Sequence, residues 1–354
     1  MPLTVLSVGY PLAKVSDSTA GGAEQVLSSL DAALVRRGHH SLVLAPAGSR
    51  GRGLLVSVPL PSGILDGRAK RESQRKFKQL LDQTLDHYRV DVVHMHGLDF
   101  SEYLPACDVP VVVTLHLPLT WYGRDVLRDS RPNITRVCVS NSQARFAPAG
   151  VGIDRVIPNG IDLVRFRPAR RKANYAVCIG RICPEKGFHL AIDAAQRAGI
   201  ELVLAGIVFE YPEHREYFDS MIAPWLTKRI RYIGAVGGER KARLLAGAQC
   251  LLVPSLVSET SSLVAMEAMA SGTPVIAWRS GALPEIVSEG RTGFLVDNVE
   301  QMADAIADAG AIRPEVCRHE AELRFSSEKM ISEYLDLYHS VAASSVVVRE
   351  LQAA

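Results

Sequence analysis

The chain carries no Cys-x-x-Cys pair, no run of eighteen apolar residues and no marked excess of either charge. Each absence excludes something. The six cysteines (Cys107, Cys138, Cys178, Cys183, Cys250 and Cys317) lie apart, several inside apolar runs such as Val137-Cys138-Val139, as reduced core thiols do. No disulfide framework is expected, and a cytoplasmic location is. No stretch is long and apolar enough for a spanning helix. Met1–Tyr10 lacks a charged start and reads as a first buried strand, not as a secretion signal. A formal net charge of +2 argues against a nucleic-acid partner. Between Gly9 and Gly22 there is no GxGxxG spacing, which counts against an NAD-dependent oxidoreductase.

What is present is an α/β rhythm. At 354 residues the chain suits two domains, each with its own core. Strands are predicted at Leu3–Val8, Ser41–Ala45, Asp91–His94, Val109–His116 and Arg136–Ser140. They resume at Tyr175–Gly180, Glu201–Ala205, Arg229–Ile233, Cys250–Val253 and Pro274–Trp278. Runs such as Val109-Pro-Val-Val-Val113 are apolar on both faces, as strands of a helix-covered parallel sheet must be. Between them lie amphipathic helices; Glu24–Arg37 ends in a basic turn and Gly38. The rhythm breaks at the basic segment Arg165–Lys172, which reads as a linker. The expected division is a Rossmann-like domain over 1–167, a second over 168–326, and a helix over 327–345 returning to the first. Both domains would be doubly wound, with ligands at the carboxyl ends of strands and a cleft where the two face each other.

Ser258–Val275 is the most informative stretch. It sets Glu259 and Glu267 eight positions apart, with a strand before and another after. A helix starting near Ser261 leaves Glu259 outside and Glu267 in its second turn. The free N–H groups of Ser261, Ser262 and Leu263 then favour a diphosphate. One carboxylate can accept from sugar hydroxyls and the other from ribose hydroxyls. Gly180-Arg-Ile-Cys-Pro-Glu-Lys-Gly187, at a strand end, can present Arg181 and Lys186 to the same phosphates.

Glu-x7-Glu followed by Ala-Met-Ala-x-Gly-x-Pro-Val resembles the retaining glycosyltransferases of family 4. The resemblance covers essentially the whole chain. It implies a GT-B fold and transfer of a hexose from a nucleotide diphosphate sugar acting as co-substrate. No cofactor is implied. A uridine diphosphate sugar is the expected donor, with guanosine diphosphate mannose next. The acceptor is left open among saccharides, lipid-linked saccharides and small molecules. By the same resemblance Arg181 and Lys186 neutralise the diphosphate. Gly21-Gly22-Ala23-Glu24 forms a loop facing diphosphate and acceptor, with Glu24 on the acceptor side. His116 stands near the donor sugar, and Ile157-Pro-Asn-Gly-Ile-Asp162 is a turn at the domain junction. Catalysis would fall to His116, Glu259, Arg181 and Lys186.

One departure concerns the sugar: Ser261 and Ser262 stand where many members have Phe-Gly. His94 and His96 share a strand face; without a further ligand at metal spacing they are expected to serve structure, with His96 lining the acceptor side. There is no Asp-x-Asp for a divalent ion, so front-face transfer without a metal is expected. Arg68–Lys78 carries six basic residues and one acidic. With Phe77, Leu80, Leu81 and Leu85 at helical spacing, it has the composition to touch an anionic membrane at the inner face, although a solvated helix face is the plainer reading. The alternative to an active transferase is a noncatalytic sugar-nucleotide-binding subunit, which intact Glu259, Glu267, Arg181 and Lys186 disfavour.

Overall fold

The computed structural model describes every residue except 17, 18, 20, 61–66 and 354, with side chains described through residue 344. Contacts divide the chain into two compact units: Met1–Pro158 with Glu328–Ala354, and Asn159–Ser327.

The first unit is built on seven strands: β1 (Thr4–Val8), β2 (His40–Pro46), β3 (Leu54–Val58), β4 (Val92–Met95), β5 (Val111–Leu115), β6 (Ile134–Cys138) and β7 (Arg155–Val156). All pairings are parallel, in the order β3-β2-β1-β4-β5-β6-β7. Alternate residues of one strand enter different cores, which is why the strands are apolar throughout. Leu6 and Val8 pack with Phe77 and Leu81 of the helix Gly67–His87. Leu3 and Val5 pack instead with Val26, Leu30 and Leu34 of the helix Gly22–Arg36 and with Met330, Tyr334 and Tyr338 of the helix Ser327–Ala353.

The second unit repeats the plan with β8 (Tyr175–Ile179), β9 (Glu201–Ala205), β10 (Ile230–Tyr232), β11 (Cys250–Val253), β12 (Val275–Trp278) and β13 (Gly293–Val296). Their order is β10-β9-β8-β11-β12-β13, again all parallel. Ala176 and Cys178 face Phe188 and Ile192 of the helix Phe188–Ala198, while Val177 and Leu251 face Met266 and Met269 of the helix Leu263–Ala270. In each sheet two strands distant in sequence lie side by side, β1 with β4 and β8 with β11. The direction in which successive strands are added reverses there, the place where such sheets bind ligands at their carboxyl ends.

Two expectations are corrected. The boundary falls after Pro158, ahead of residue 167. Ile161 already bonds Phe325 through its backbone N–H, and Phe166 is buried in the second core, so the basic run Arg165–Lys172 begins inside that unit. The return crossing falls after Ser327 rather than 326. Second, the apolar stripe of Arg68–Lys78 is not free to enter a membrane, because Phe77 and Leu81 are fully buried in the first core. The basic face stays exposed, with Lys76 on Glu72 and Lys78 on Asp82. No helix among the described residues is long and apolar enough to cross a membrane.

Candidate functional site

In the second unit the chain leaves β8 through Gly180 and Arg181 and makes a short turn at Pro184–Lys186. It then enters a helix at Phe188 through Gly187. Gly187 is left-handed (φ 64°), and a Cβ there would lie 2.2 Å from the Pro254 carbonyl oxygen, so the turn sits directly on the chain leaving β11. That contact brings two loops together. Lys186 Nζ lies 2.5 Å from Glu259 Oε1, which also accepts from Ser255 Oγ at 2.5 Å. The Glu259 backbone is pinned separately, its carbonyl accepting from Ala282 N–H at 2.7 Å. The Arg181 side chain makes no hydrogen bond or ion pair among the described residues. It is left with a full set of donors.

The helix expected near Ser261 starts at Leu263, with Ser262 as an extended N-cap whose side chain makes no capping bond. Its first amides, from Leu263 onward, therefore lack intrahelical acceptors. Ser261 Oγ is buried and without a hydrogen-bond partner. Glu267 lies one turn in, its side chain 3% exposed, with Lys241 Nζ 2.6 Å from Oε1. Burial raises the Glu267 pKa, while Lys241 and then Arg165 pull it down. Its second oxygen is buried and unpartnered. The two glutamates of the motif thus answer to two different lysines.

In the first unit the helix Gly22–Arg36 starts at the N-cap Gly21, and the Glu24 carboxylate folds back so far that a Cβ on Gly21 would lie 1.8 Å from Oε2. At the carboxyl ends of β4 and β5 three histidines lie in a row, His94 within β4, His96 just after it and His116 just after β5. His94 Nδ1 is 2.6 Å from the Tyr338 hydroxyl and its Nε2 is 2.7 Å from Thr114 Oγ1. His96 lies tilted against His94 with centroids 3.9 Å apart and stacks on His116 at 5.3 Å, where its Nδ1 meets His116 Nε2 at 3.0 Å. His96 Nε2 is buried with no partner. Burial holds His94 and His96 well below the ordinary imidazole pKa and pushes His116 down to about 3, so all three rings are neutral near neutral pH.

Two family models match adjoining parts of the chain: one described as Glycosyltransferase Family 4 over residues 20–165, the other as Glycosyl transferases group 1 over 173–310. The chain belongs to glycosyltransferase family 4. A phosphatidyl-myo-inositol mannosyltransferase of Mycobacterium tuberculosis is 27% identical, over 93% of this chain and 96% of the relative. The crystal structure of AviGT4, a glycosyltransferase involved in avilamycin A biosynthesis, is 27% identical with a TM-score of 0.72, covering 97% of this chain and 99% of that one. Sucrose-phosphate synthase from Thermosynechococcus elongatus shares the fold alone, with a TM-score of 0.80 at 20% identity over 96% of this chain and 100% of that one. Two doubly wound parallel sheets with these neighbours make the fold GT-B.

In this family 4 glycosyltransferase every motif residue singled out in the sequence lies beyond the carboxyl end of a strand. Arg181 and Lys186 follow β8, Glu259 to Glu267 follow β11, Gly21 to Glu24 follow β1, His96 follows β4 and His116 follows β5. Lys186 and Glu259 are brought into contact, and so are His96 and His116. Lys241 escaped the sequence reading. It sits among Arg240 and Arg243, but lies four residues before the buried Leu245, which places it on the inward face of the helix Gly238–Gly247. The Tyr334 and Tyr338 hydroxyls, which bond Thr114 and His94, left no sign in the sequence either.

Proposed function

We propose that the chain transfers a hexose from a nucleotide diphosphate sugar to a hydroxylated acceptor, with retention and without a metal ion in the reaction. The observation that carries this reading is the Lys186–Glu259 contact at 2.5 Å beside an unbonded Arg181 side chain and the free amides from Leu263 onward. Two cations and a helix start suit a diphosphate. A carboxylate already held by Lys186 and Ser255 suits a sugar hydroxyl, and the unpartnered oxygen of Glu267 suits a ribose hydroxyl. Ser261, Ser262 and Leu263 complete the donor set in this unit. In the first unit, Gly21, Gly22 and His116 go with the donor, Glu24 and His96 with the acceptor.

On this reading the acceptor oxygen bonds the anomeric carbon from the face the phosphate leaves. The bond from that carbon to phosphate oxygen breaks, its electron pair goes to the diphosphate, and the departing phosphate takes the acceptor proton. Arg181 and Lys186 stabilise the charge that develops there. Neutral His116 contributes an oriented dipole and no charge. Uridine diphosphate sugars are the first donors to try and guanosine diphosphate mannose the second. The name of the mycobacterial relative supports adding inositol-containing lipids to the acceptors tried.

The test is a thermal-shift panel of nucleotide sugars followed by product analysis with the best donor. A ligand at a hundred times its Kd should stabilise the protein by about 2.7 kcal/mol. The anomeric configuration of the product, read by NMR, should match that of the donor, and added Mg²⁺ or Mn²⁺ should leave the rate unchanged. No melting shift with any nucleotide sugar, together with no release of nucleotide diphosphate, would end the proposal.

A further inference from the structure

At positions to which the motifs give no role, the second unit gathers a thiol, a carboxylate and an imidazole. Cys183 is fully buried just before the turn Pro184–Lys186, Glu185 lies within that turn, and His214 sits on the helix Pro212–Tyr217. One ligand atom from each lies within 4.8 Å of the other two. Two of these groups have unsatisfied polar atoms: Glu185 Oε2 and His214 Nδ1 are both buried and without a hydrogen-bond partner among the described residues. Cys183 Sγ donates to the Arg181 carbonyl at 3.6 Å and its thiol interacts with the Glu185 carboxylate, but the two orphaned atoms beside it still need a partner, since buried polar atoms are normally satisfied.

The cluster is also held in place. The chain segments that supply it, one after β8 and one after β9, are tied by Ile182 N–H to the Ile207 carbonyl at 2.9 Å. The Glu185 carbonyl accepts from Leu256 N–H at 2.8 Å, and the His214 ring packs edge-on to Tyr211 with centroids 5.2 Å apart.

We propose that Cys183, Glu185 and His214 form a zinc site, with three protein ligands and a fourth position open to water. Thiolate and carboxylate together carry the two negative charges that balance a divalent cation, and the imidazole is neutral. Sulfur and nitrogen donors select zinc over magnesium or calcium. Around tetrahedral zinc the ligand atoms sit about 3.5 Å apart, from bond lengths of about 2.0–2.3 Å. Closing from the 4.8 Å limit requires about 1 Å of movement. Rotation of the half-buried Glu185 and His214 side chains supplies it. Binding breaks the Cys183 S–H bond and releases that proton to solvent as the sulfur–metal bond forms. Because Cys183 precedes the turn that carries Lys186 and Glu185 lies within it, the ion would fix that turn. The site stands whether or not the chain transfers sugar.

The test uses the full chain, stripped with a chelator and titrated with Co²⁺ as a spectroscopic probe for zinc. The expected result is one equivalent bound, with a near-ultraviolet thiolate-to-cobalt charge-transfer band that added Zn²⁺ abolishes. The band should vanish in Cys183→Ser and persist in Cys107→Ser, whose thiol is exposed. His214→Ala, at a half-buried position, should weaken Co²⁺ binding at least about tenfold. Absence of the band in the unaltered protein, its survival in Cys183→Ser, its loss in Cys107→Ser, or unchanged affinity in His214→Ala would each overturn the site.

Discussion

Replacing Lys241 by Met tests whether Glu267 is a buried charge held chiefly by that lysine. The pair is 2.6 Å apart, with side-chain exposures of 13% for Lys241 and 3% for Glu267. Lys241 Nζ also lies 5.6 Å from the centre of the Phe166 ring, which its loss would strip of a cation. Removing one member of a buried pair leaves the other uncompensated and costs about 3–5 kcal/mol. Because Lys241 keeps some solvent, the lower end applies, about 3 kcal/mol. For a unit of this size, that lowers Tm by about 6–12 °C. The pH dependence supplies a sign. Burial raises the Glu267 pKa in the folded protein, so the folded state holds that proton more tightly than the unfolded chain does. Stability from this group is full below the ordinary carboxyl range and is lost as pH rises through the raised value. Without Lys241 the raise grows, and the deficit relative to the unaltered protein should shrink as pH falls toward about 5. Lys241→Met combined with Glu267→Met should recover most of the loss, since a well-packed apolar pair substitutes for a buried ionic one at little cost. The assay is calorimetric or urea unfolding of the three proteins at two pH values. A deficit under about 1 kcal/mol, or one that the double variant does not relieve, would refute the reasoning.

Two further outcomes follow from the geometry. The neutral row His94, His96 and His116 must take up protons on unfolding, because burial holds all three pKa values down, His116 to about 3. Stability carried by these rings is full above the ordinary imidazole pKa of about 6.5 and is lost on acidification. The loss steepens to about 4 kcal/mol per pH unit once the unfolded rings are all charged. Amide exchange in β4 and β5 should accelerate accordingly, and ring resonances that titrate near pH 6.5 in the folded protein would contradict it. Gly187→Ala forces a left-handed alanine against the Pro254 carbonyl. It should cost about 1–3 kcal/mol in thermal unfolding. Donor affinity should fall with it, because the Lys186–Glu259 contact depends on that approach; unchanged donor affinity would detach this turn from the site.

Much of the architecture was legible because parallel strands covered on both faces leave uninterrupted apolar runs. Glu201–Ala205 and Cys250–Val253 lie where those runs place them. The strands not anticipated, β3, β7 and β13, are all sheet edges. Leu54–Val58 is half-exposed, Arg155–Val156 has two residues, and Gly293–Val296, though mostly buried, is four residues long and opens on glycine, so each leaves a weak signal. The domain boundary was misplaced because a charge run draws attention more readily than a single buried Phe166. At the site, Glu259 and Glu267 were visible through their spacing on either side of a helix start. Their partners were not. Lys186 meets Glu259 only because β8 and β11, adjacent in the sheet, are far apart in sequence, and Ser255 meets it through a turn of irregular chain four residues long. Cys183, Glu185 and His214 come from consecutive loops with no spacing rule to join them.

The most direct measurement is the initial rate of nucleotide diphosphate release, with the donor that gives the largest thermal shift, in the unaltered protein and in Arg181→Ala. The Arg181 side chain is half-buried and makes no hydrogen bond or ion pair among the described residues, only a longer-range attraction to Glu185, so the variant should melt within about 1 °C of the original. Its turnover should fall by about a hundredfold or more, the scale of losing one stabilising group from a developing anion. Equal rates in the two proteins would contradict the account, since the leaving diphosphate would then be held elsewhere.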